Sequence, residues 1–170
     1  MDTLAHGLWG GVAFGRKNRG RFIASFILGM SPDLLSFGFF FLTWAVRGFP
    51  PMSRLPGEPP DPSMIPAYVG HLYNITHSAV IWGLVFFVLT RTLGRPPWVF
   101  GAWLLHILCD VPTHTKEFFP TPFLWPFPTP FVDGFRWSAP WFLALNYTAL
   151  IASFVAITWV NRRKHSSLDR

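Results

Sequence analysis

The run "FIASFILGMSPDLLSFGFFFLTWAV", residues 22–46, carries one formal charge, that of Asp33. About 20 predominantly apolar residues are enough for a helix to cross the hydrocarbon core of a bilayer. The run therefore predicts a transmembrane helix with one carboxylate near its middle. A carboxylate at the centre of a bilayer costs about 2.5 to 3.5 kcal/mol on insertion scales, so Asp33 needs a partner.

Other apolar stretches flank this run. Residues 139–160 carry no charge and predict a second full span, while residues 75–90 and 98–109 each carry a single histidine and predict shorter spans. Residues 3–15 are glycine-rich and predict a partial or re-entrant helix. With 51% hydrophobic and 13% charged residues in 170, the chain is expected to be all-α. We expect one domain, residues 1–170, a polytopic membrane helical bundle of about four spans plus a short N-terminal helix.

The net charge of +6 is concentrated in three clusters between and after the apolar stretches, at residues 16–21, 91–95 and 162–164. The positive-inside rule places all three clusters, and with them the C-terminus, on the cytoplasmic side of the inner membrane. This distribution argues against nucleic acid as a direct partner, and no cleavable signal peptide is expected. Residues 47–67 and 112–140 hold 14 of the 17 prolines, which predicts two irregular loops on the opposite, non-cytoplasmic face.

Ionisable residues of four apolar segments fall at one depth in this topology. Counted from the nearest basic residue at about 1.5 Å per residue, they lie about 15 to 22 Å into the membrane. In "HILCDVPTH", residues 106–114, His106 and Asp110 are i,i+4 neighbours on one helical face, a spacing that suits two ligands of one ion. A divalent cation would compensate the carboxylates and accept imidazole lone pairs. The predicted metal ligands are His6, Asp33, His77, His106 and Asp110.

Some polar residues near these ligands have open interpretations. Asp2 precedes His6 by four residues and is predicted to be a ligand, a carboxylate that orients one, or a helix N-cap. Asp33, after Pro32, has a capping alternative too, and any single histidine is more often a packing residue. His114 lies beyond Pro112, which is expected to stop the helix, and His71 is expected in a loop. The lone Cys109 predicts a small buried side chain rather than a ligand.

Several motifs occur in an order that resembles a known family. "MDTLAHGLWGG", "GMSPDLL", "LYNITHS" and "HILCD" followed by "PFLWPF" are similar to the motifs of the LexA-binding, inner-membrane-associated metal-dependent hydrolases. The resemblance covers residues 1 to about 138. In the family an Arg often follows the His that opens the Thr-His-Ser motif, whereas Leu72 follows His71 here with one extra residue of spacing. The resemblance also brings Ser78 into the site, beside His77, as a residue that orients a ligand.

The order of histidines and aspartates is also similar to that of the zinc-dependent phospholipase C and single-strand nuclease group. This looser resemblance implies that four residues hold one ion and that one of them bridges to a second ion, which His6 helps to bind. The later ligands that those enzymes use for a further ion have no clear counterpart here. The four residues are Asp33, His77, His106 and Asp110, of which Asp110 is the bridge.

The leading functional prediction is metal-assisted hydrolysis of an ester or phosphoester of a lipid or lipid-linked substrate. Zinc is the expected metal, as one or two ions, although imidazole and carboxylate ligands without thiolates also suit Mn, Fe or Ni. His71, His114 or Glu117 are predicted to move protons or position the substrate. A transporter or metal-sensing protein is the alternative, and a scaffold whose polar cluster only organises helix packing is a third reading. Membrane lipids are the expected partners.

Overall fold

The computed structural model describes residues 1–48, 61–128 and 130–168, and this part of the chain contains helices and no strand. Single turns of 3₁₀ helix lie at Pro62–Met64 and Trp98–Phe100. Residues 49–60 of the first proline-rich segment lie outside the described residues. The α-helices are α1 (Thr3–Phe14), α2 (Arg19–Val46), α3 (Ala67–Thr76), α4 (Ala79–Leu93), α5 (Gly101–Thr113) and α6 (Pro140–Leu168).

Two of these helices are long and apolar enough to cross a membrane. They are α2, over Arg19–Val46, and α6, over Pro140–Asn161. The pair α3 and α4 passes the same test only together and is bent by 56°, so it forms at most a broken third span. The fourth apolar segment, Trp98–Thr113, is only about 24 Å long at 1.5 Å per residue, shorter than the hydrocarbon core of about 30 Å. The expectation of about four spans is thus met only in part.

Small residues allow α1 and α2 to pack closely. A Cβ atom at Gly29 of α2 would lie 2.6 Å from the carbonyl oxygen of His6, and one at Gly10 of α1 would lie 2.6 Å from that of Ser25. Neither position tolerates a larger side chain without separating the two backbones, which is how small residues act between membrane helices. Helix α5 packs against both α1 and α2. The three helices therefore bring His6 and Asp33 to the level of α5.

The chain breaks at His77, between α3 and α4. Ser78 begins α4 as its N-cap, with its Oγ accepting a hydrogen bond from the Ile81 N–H at 3.1 Å. The same hydroxyl donates to the carbonyl of Trp125, and the N–H of Ala79 donates to the carbonyl of Phe123 at 2.9 Å. The break is thereby tied to the loop that follows α5. His77 consequently sits at a helix end that is buried inside the protein.

Two predicted boundaries differ in the structure. His71 lies in α3 rather than in a loop, because Pro66 is the N-cap of that helix and a proline at a helix start removes no hydrogen bond within the helix. Pro112 does not stop α5, which ends one residue later at Thr113. A proline in the last turn costs one backbone hydrogen bond, and the N–H of His114 still donates to the carbonyl of Asp110 at 3.1 Å. Likewise α2 continues through Pro32, so Asp33 is not a cap.

Residues 114–128 and 130–139 have no regular secondary structure but are attached to the end of α5. The N–H groups of Gly134, Phe135 and Trp137 donate to the carbonyls of His114, Pro112 and Thr113, at 2.9, 3.0 and 3.1 Å. These hydrogen bonds satisfy carbonyl groups that a helix end leaves without partners. They hold the loop across the end of α5 that carries Asp110.

Helix α6 contacts α1 and carries no predicted ligand. Its Asn146 Oδ1 accepts from Trp9 Nε1 at 2.8 Å, and its Tyr147 hydroxyl donates to Asp2 Oδ1 at 2.9 Å. The opposite face is apolar and exposed, with Ile151 and Val155 among its large side chains. An exposed apolar face of this length suits contact with lipid. Helix α6 is thus one of the two helices that could span a membrane, and it also covers part of α1.

Candidate metal centre

Four predicted ligands converge between α2, α5 and the break after α3. One donor atom from each of Asp33, His77, His106 and Asp110 lies within 4.8 Å of the other three. Within the described ranges, this is the one group of three or more His, Cys, Asp or Glu donors that could hold a metal ion. The chain thus contains a buried His/Asp group suited to a divalent cation.

Five of the six separations between these donor atoms are close to those expected around a tetrahedral ion. The two Nε2 atoms of His77 and His106 are 3.1 Å apart. Asp33 Oδ1 lies 3.5 and 3.6 Å from these nitrogens, and Asp110 Oδ2 lies 3.5 and 3.1 Å from them, in the same order. Ligands bound tetrahedrally at about 2.0 to 2.2 Å are separated by about 3.3 to 3.6 Å. A small ion therefore fits among the four atoms with little rearrangement.

Backbone carbonyls determine which nitrogen of each histidine faces the centre. The Nδ1 of His106 lies 2.7 Å from the carbonyl oxygen of Gly29, and the Nδ1 of His77 lies 3.2 Å from that of Tyr73. A carbonyl oxygen only accepts, so each Nδ1 can donate a proton there, and the Nδ1 of His77 also lies 3.0 Å from Thr76 Oγ1. With the proton on Nδ1, each Nε2 is available as a metal ligand, and a proton or a metal ion between the two Nε2 atoms satisfies their contact at 3.1 Å. Donation from Nδ1 to a carbonyl is the usual support of a metal-bound histidine.

The two oxygens of Asp110 have different surroundings. Oδ1 forms an ion pair with the amino group of Met1 and lies 2.9 Å from Nε2 of His6. Oδ2 is buried, has no hydrogen-bond partner among the described residues, and faces the two Nε2 atoms. A buried carboxylate oxygen without a partner is costly, so this atom is the one best suited to bind a cation.

His6 belongs to the cluster but not to the four-atom group. Its ring stacks on that of His106 with centroids 3.6 Å apart, and its contact with Asp110 is on the Oδ1 side. Its own Nδ1 is buried and lacks a hydrogen bond in the described part of the chain. The structure therefore brings all five predicted ligands together, with His6 beside the amino group of Met1 rather than beside Asp33.

The predicted auxiliary residues divide into two groups. His114 lies at the cluster, with its Nε2 3.5 Å from Asp110 Oδ1. Asp2 is the N-cap of α1, accepting from the Ala5 N–H at 2.9 Å, and Ser78 caps α4; among the described residues neither is hydrogen-bonded to a ligand side chain. His71 is exposed on α3. Glu117 is 74% exposed and pairs with Arg136 at 3.4 Å, so it lies away from the four ligand atoms.

Tyr73 and Phe119 hold His114, and neither was singled out from the sequence. The Nδ1 of His114 and the hydroxyl of Tyr73 both donate to the Phe119 carbonyl, at 2.8 and 2.9 Å. Phe119 has a φ of 48°, a conformation that costs a residue with a Cβ about 1 to 3 kcal/mol. Its backbone is thus held in a strained position that turns the Nε2 of His114 towards Asp110.

A helical pattern in the sequence could have identified Tyr73, since Tyr73 and His77 are four residues apart and their rings stack at 3.8 Å. Gly29 lies four residues before Asp33, and its carbonyl supports His106. The contact of the Met1 amino group and the strained Phe119 have no comparable sequence signal. Both depend on how distant segments pack.

The site opens on the side of Asp33. The side chains of His77, His106 and Asp110 are at most 1% exposed, whereas that of Asp33 is 16% exposed. Asp33 Oδ2 accepts a hydrogen bond from Thr3 Oγ1 at 2.7 Å, which leaves Oδ1 directed at the histidines. A cavity of about 270 Å³ reaches both Asp33 and His114.

Comparison of the chain with protein-family models, curated proteins and solved structures yields no match.

Proposed function

We propose that the chain is a membrane-embedded, metal-dependent hydrolase that cleaves an ester or phosphoester. The observation that supports this most is the convergence of two Nε2 lone pairs and two carboxylates at 3.1 to 3.6 Å, beside a cavity. Catalytic zinc sites keep a coordination position for water, so in the proposed centre water would join the four donors as a fifth ligand or displace Asp33 Oδ1. The partial exposure of Asp33, beside the cavity, supports access of water on that side.

Each residue of the cluster has a proposed role. The Nε2 atoms of His77 and His106, with Asp110 Oδ2 and Asp33 Oδ1, would hold the ion, and zinc suits these donors, as do Mn, Fe or Ni. A bound metal supplies Lewis acidity and lowers the pKa of a coordinated water. His114, whose Nδ1 donates to Phe119, has an Nε2 that can accept a proton beside Asp110.

The resemblance to the LexA-binding membrane hydrolases stays a prediction and supports the same proposal. So does the similarity to the phospholipase C and nuclease group, in which the corresponding four residues hold one ion. If this chain bound a second ion, as the resemblance to that group implies, its candidate position would be beside Asp110 Oδ1. In this structure that oxygen already contacts the amino group of Met1 and His6.

Metal content and turnover together test the proposed function. The protein is purified in detergent without added metal, its metals are measured by elemental analysis, and it is assayed with chromogenic phosphoesters, esters and lipids. We expect about one ion per chain and turnover that is lost in His106→Ala. Asp133→Asn is the control, since Asp133 is an exposed carboxylate of the loop. Bound metal without turnover of any substrate would favour the transporter or metal-sensing alternative, and absence of metal would reject both.

We further propose that the chain lies in the cytoplasmic membrane with the C-terminus and residues 16–21 and 91–97 in the cytoplasm. The exposed Arg16, Lys17, Arg91 and Arg95 support this orientation. Single cysteines placed at positions 95 and 133, after replacement of Cys109, should differ in intact cells. An impermeant thiol reagent should label position 133 and not position 95, and the reverse pattern would overturn the orientation.

A further inference from the structure

The cavity beside the cluster has two chemically different ends. One end is formed by Asp33, His114 and the first residues of the chain, and the other end is lined by aromatic side chains of α2 and of the loop after α5. Its volume of about 270 Å³ is slightly below the range of about 300 to 1,000 Å³ of small-molecule sites. It therefore has room for one slender group beside Asp33, the one ligand residue among its lining.

One face of α2 joins the two ends. Phe37, Phe40 and Phe41 follow Asp33 by four, seven and eight residues, so the four side chains share one helical stripe. All four line the cavity. A group that enters along this stripe passes aromatic rings before it reaches the carboxylate.

The opposite wall is held in place by the hydrogen bonds that orient His114. Phe119, at φ 48°, packs its ring edge-on against Phe37 with centroids 4.9 Å apart. The Phe119 carbonyl is fixed by Tyr73 and His114. The strained backbone thus positions both the apolar wall and the histidine. Strain of this kind tends to persist where surrounding structure determines a binding or catalytic geometry.

The wall of the cavity reaches the apolar outer surface of α2 at Phe41. Phe41, which lines the cavity, is 47% exposed, and its neighbour Leu42 is 62% exposed. This surface belongs to a helix long enough to cross the membrane. A group arriving from the bilayer can therefore reach the aromatic walls without crossing water.

We infer that this cavity binds the hydrocarbon chain of an amphiphilic substrate whose anionic head lies at the metal centre, which assigns the proposed hydrolase to single-chain or lipid-like esters and phosphoesters. The inference rests on the proposed function. The cluster would attract the anionic head, and walls formed mainly by phenylalanine side chains favour a hydrocarbon chain over a sugar or a peptide. The alternative is that the cavity is filled by other residues of this chain or of a second copy, and in that case a hydrocarbon chain would not bind there.

Binding of alkylphosphonates, which cannot be hydrolysed at the carbon–phosphorus bond, tests the inference without turnover. The full chain is placed in phosphatidylcholine nanodiscs, and the dissociation constants of methyl-, hexyl- and dodecylphosphonate are measured with metal-loaded and with chelated protein. Burial of each methylene should tighten binding about four-fold until the cavity is full. We expect this gain with chain length in both metal states.

A matched pair of substitutions separates the cavity from simple partition into the bilayer. Ile65→Trp fills the cavity from its loop wall, whereas Ile27→Trp adds the same bulk on the exposed face of α2. The gain with chain length should be lost in Ile65→Trp and kept in Ile27→Trp. An equal gain in the parent and in both variants would overturn the inference, as would failure of all the phosphonates to bind.

These outcomes distinguish the inference from the proposed function. A gain with chain length that Ile65→Trp removes, in a protein that hydrolyses nothing, would support the cavity assignment and reject the hydrolase. Turnover that does not depend on the length of the substrate chain, in the parent and in Ile65→Trp alike, would support the hydrolase and reject the cavity assignment.

Discussion

Asp110 on α5 and Asp33 on α2 are both carboxylates of one cluster, yet their surroundings are opposite in kind. Asp110 is buried, and one of its oxygens forms an ion pair with the amino group of Met1 and contacts His6. Asp33 is partly exposed, with a single hydrogen bond from Thr3 and a cavity beside it. Under the proposed function, the α5 side would hold the helices and the ion together, while the α2 side would face the substrate.

The largest effect is expected from Asp110→Asn. The substitution removes the negative charge that compensates the buried amino group and a buried ligand atom, so metal should be lost with nearly all hydrolysis. Removing one partner of a buried ion pair costs about 3 to 5 kcal/mol, although the helices should still assemble. The predicted losses are checked by measuring metal per protein, turnover and the thermal midpoint, with Asp133→Asn as the control. Full metal occupancy in Asp110→Asn would remove this carboxylate from the centre.

Asp33→Asn should abolish turnover with a smaller loss of stability. The side chain is partly exposed, and an asparagine oxygen still accepts the hydrogen bond of Thr3, so we expect a cost of about 1 kcal/mol. Metal occupancy should fall because one donor loses its charge. The thermal midpoints of Asp33→Asn and Asp110→Asn are compared under the same conditions. Equal destabilisation by the two substitutions would contradict the division between the two sides.

His114→Gln should retain metal and lose turnover only partly, by no more than about 100-fold, the lower end of what a positioned proton acceptor contributes. Its Nε2 lies near Asp110 Oδ1 and outside the four-atom group. The matched substitution is His71→Gln, at an exposed position of α3, which should leave both metal and turnover unchanged. Loss of metal in His114→Gln with retention in Asp110→Asn would place the centre in the loop instead of between the helices.

The smallest effects should come from a pair of threonines that contact the two carboxylates. Thr3 donates to Asp33, and Thr113 accepts from the amino group of Met1 at 3.1 Å. Thr3→Val should weaken metal affinity about 10-fold, because it frees a carboxylate that its partner orients. Thr113→Val should cost about 1 kcal/mol of stability with little change in metal affinity. Titration with a competing chelator compares the two, and the opposite ranking would reverse the roles assigned to the two sides.

The sequence predicted the long helices well because their signal is local. The apolar runs at residues 22–46 and 139–160 correspond to α2 and α6, the two helices that are long enough to cross a membrane. The shorter segments were predicted less well. The break at His77 and the helix that contains His71 depend on Pro66, Ser78 and the loop carbonyl of Trp125, which act together only after packing. A hydropathy pattern cannot detect such a break, since apolar residues continue on both sides of it.

For the site, residue type and depth along each helix were enough to select His6, Asp33, His77, His106 and Asp110, because the rise per residue is constant and buried charges in a membrane need partners. That is what the sequence by itself determined. Only the tertiary structure decided which atoms face the centre of the cluster: the carbonyls of Gly29 and Tyr73 contact the Nδ1 atoms of the two histidines, and the amino group of Met1 pairs with one oxygen of Asp110. Tautomers, orphaned oxygens and the opening at Asp33 arise from contacts between residues distant in the chain, and no local pattern encodes those contacts.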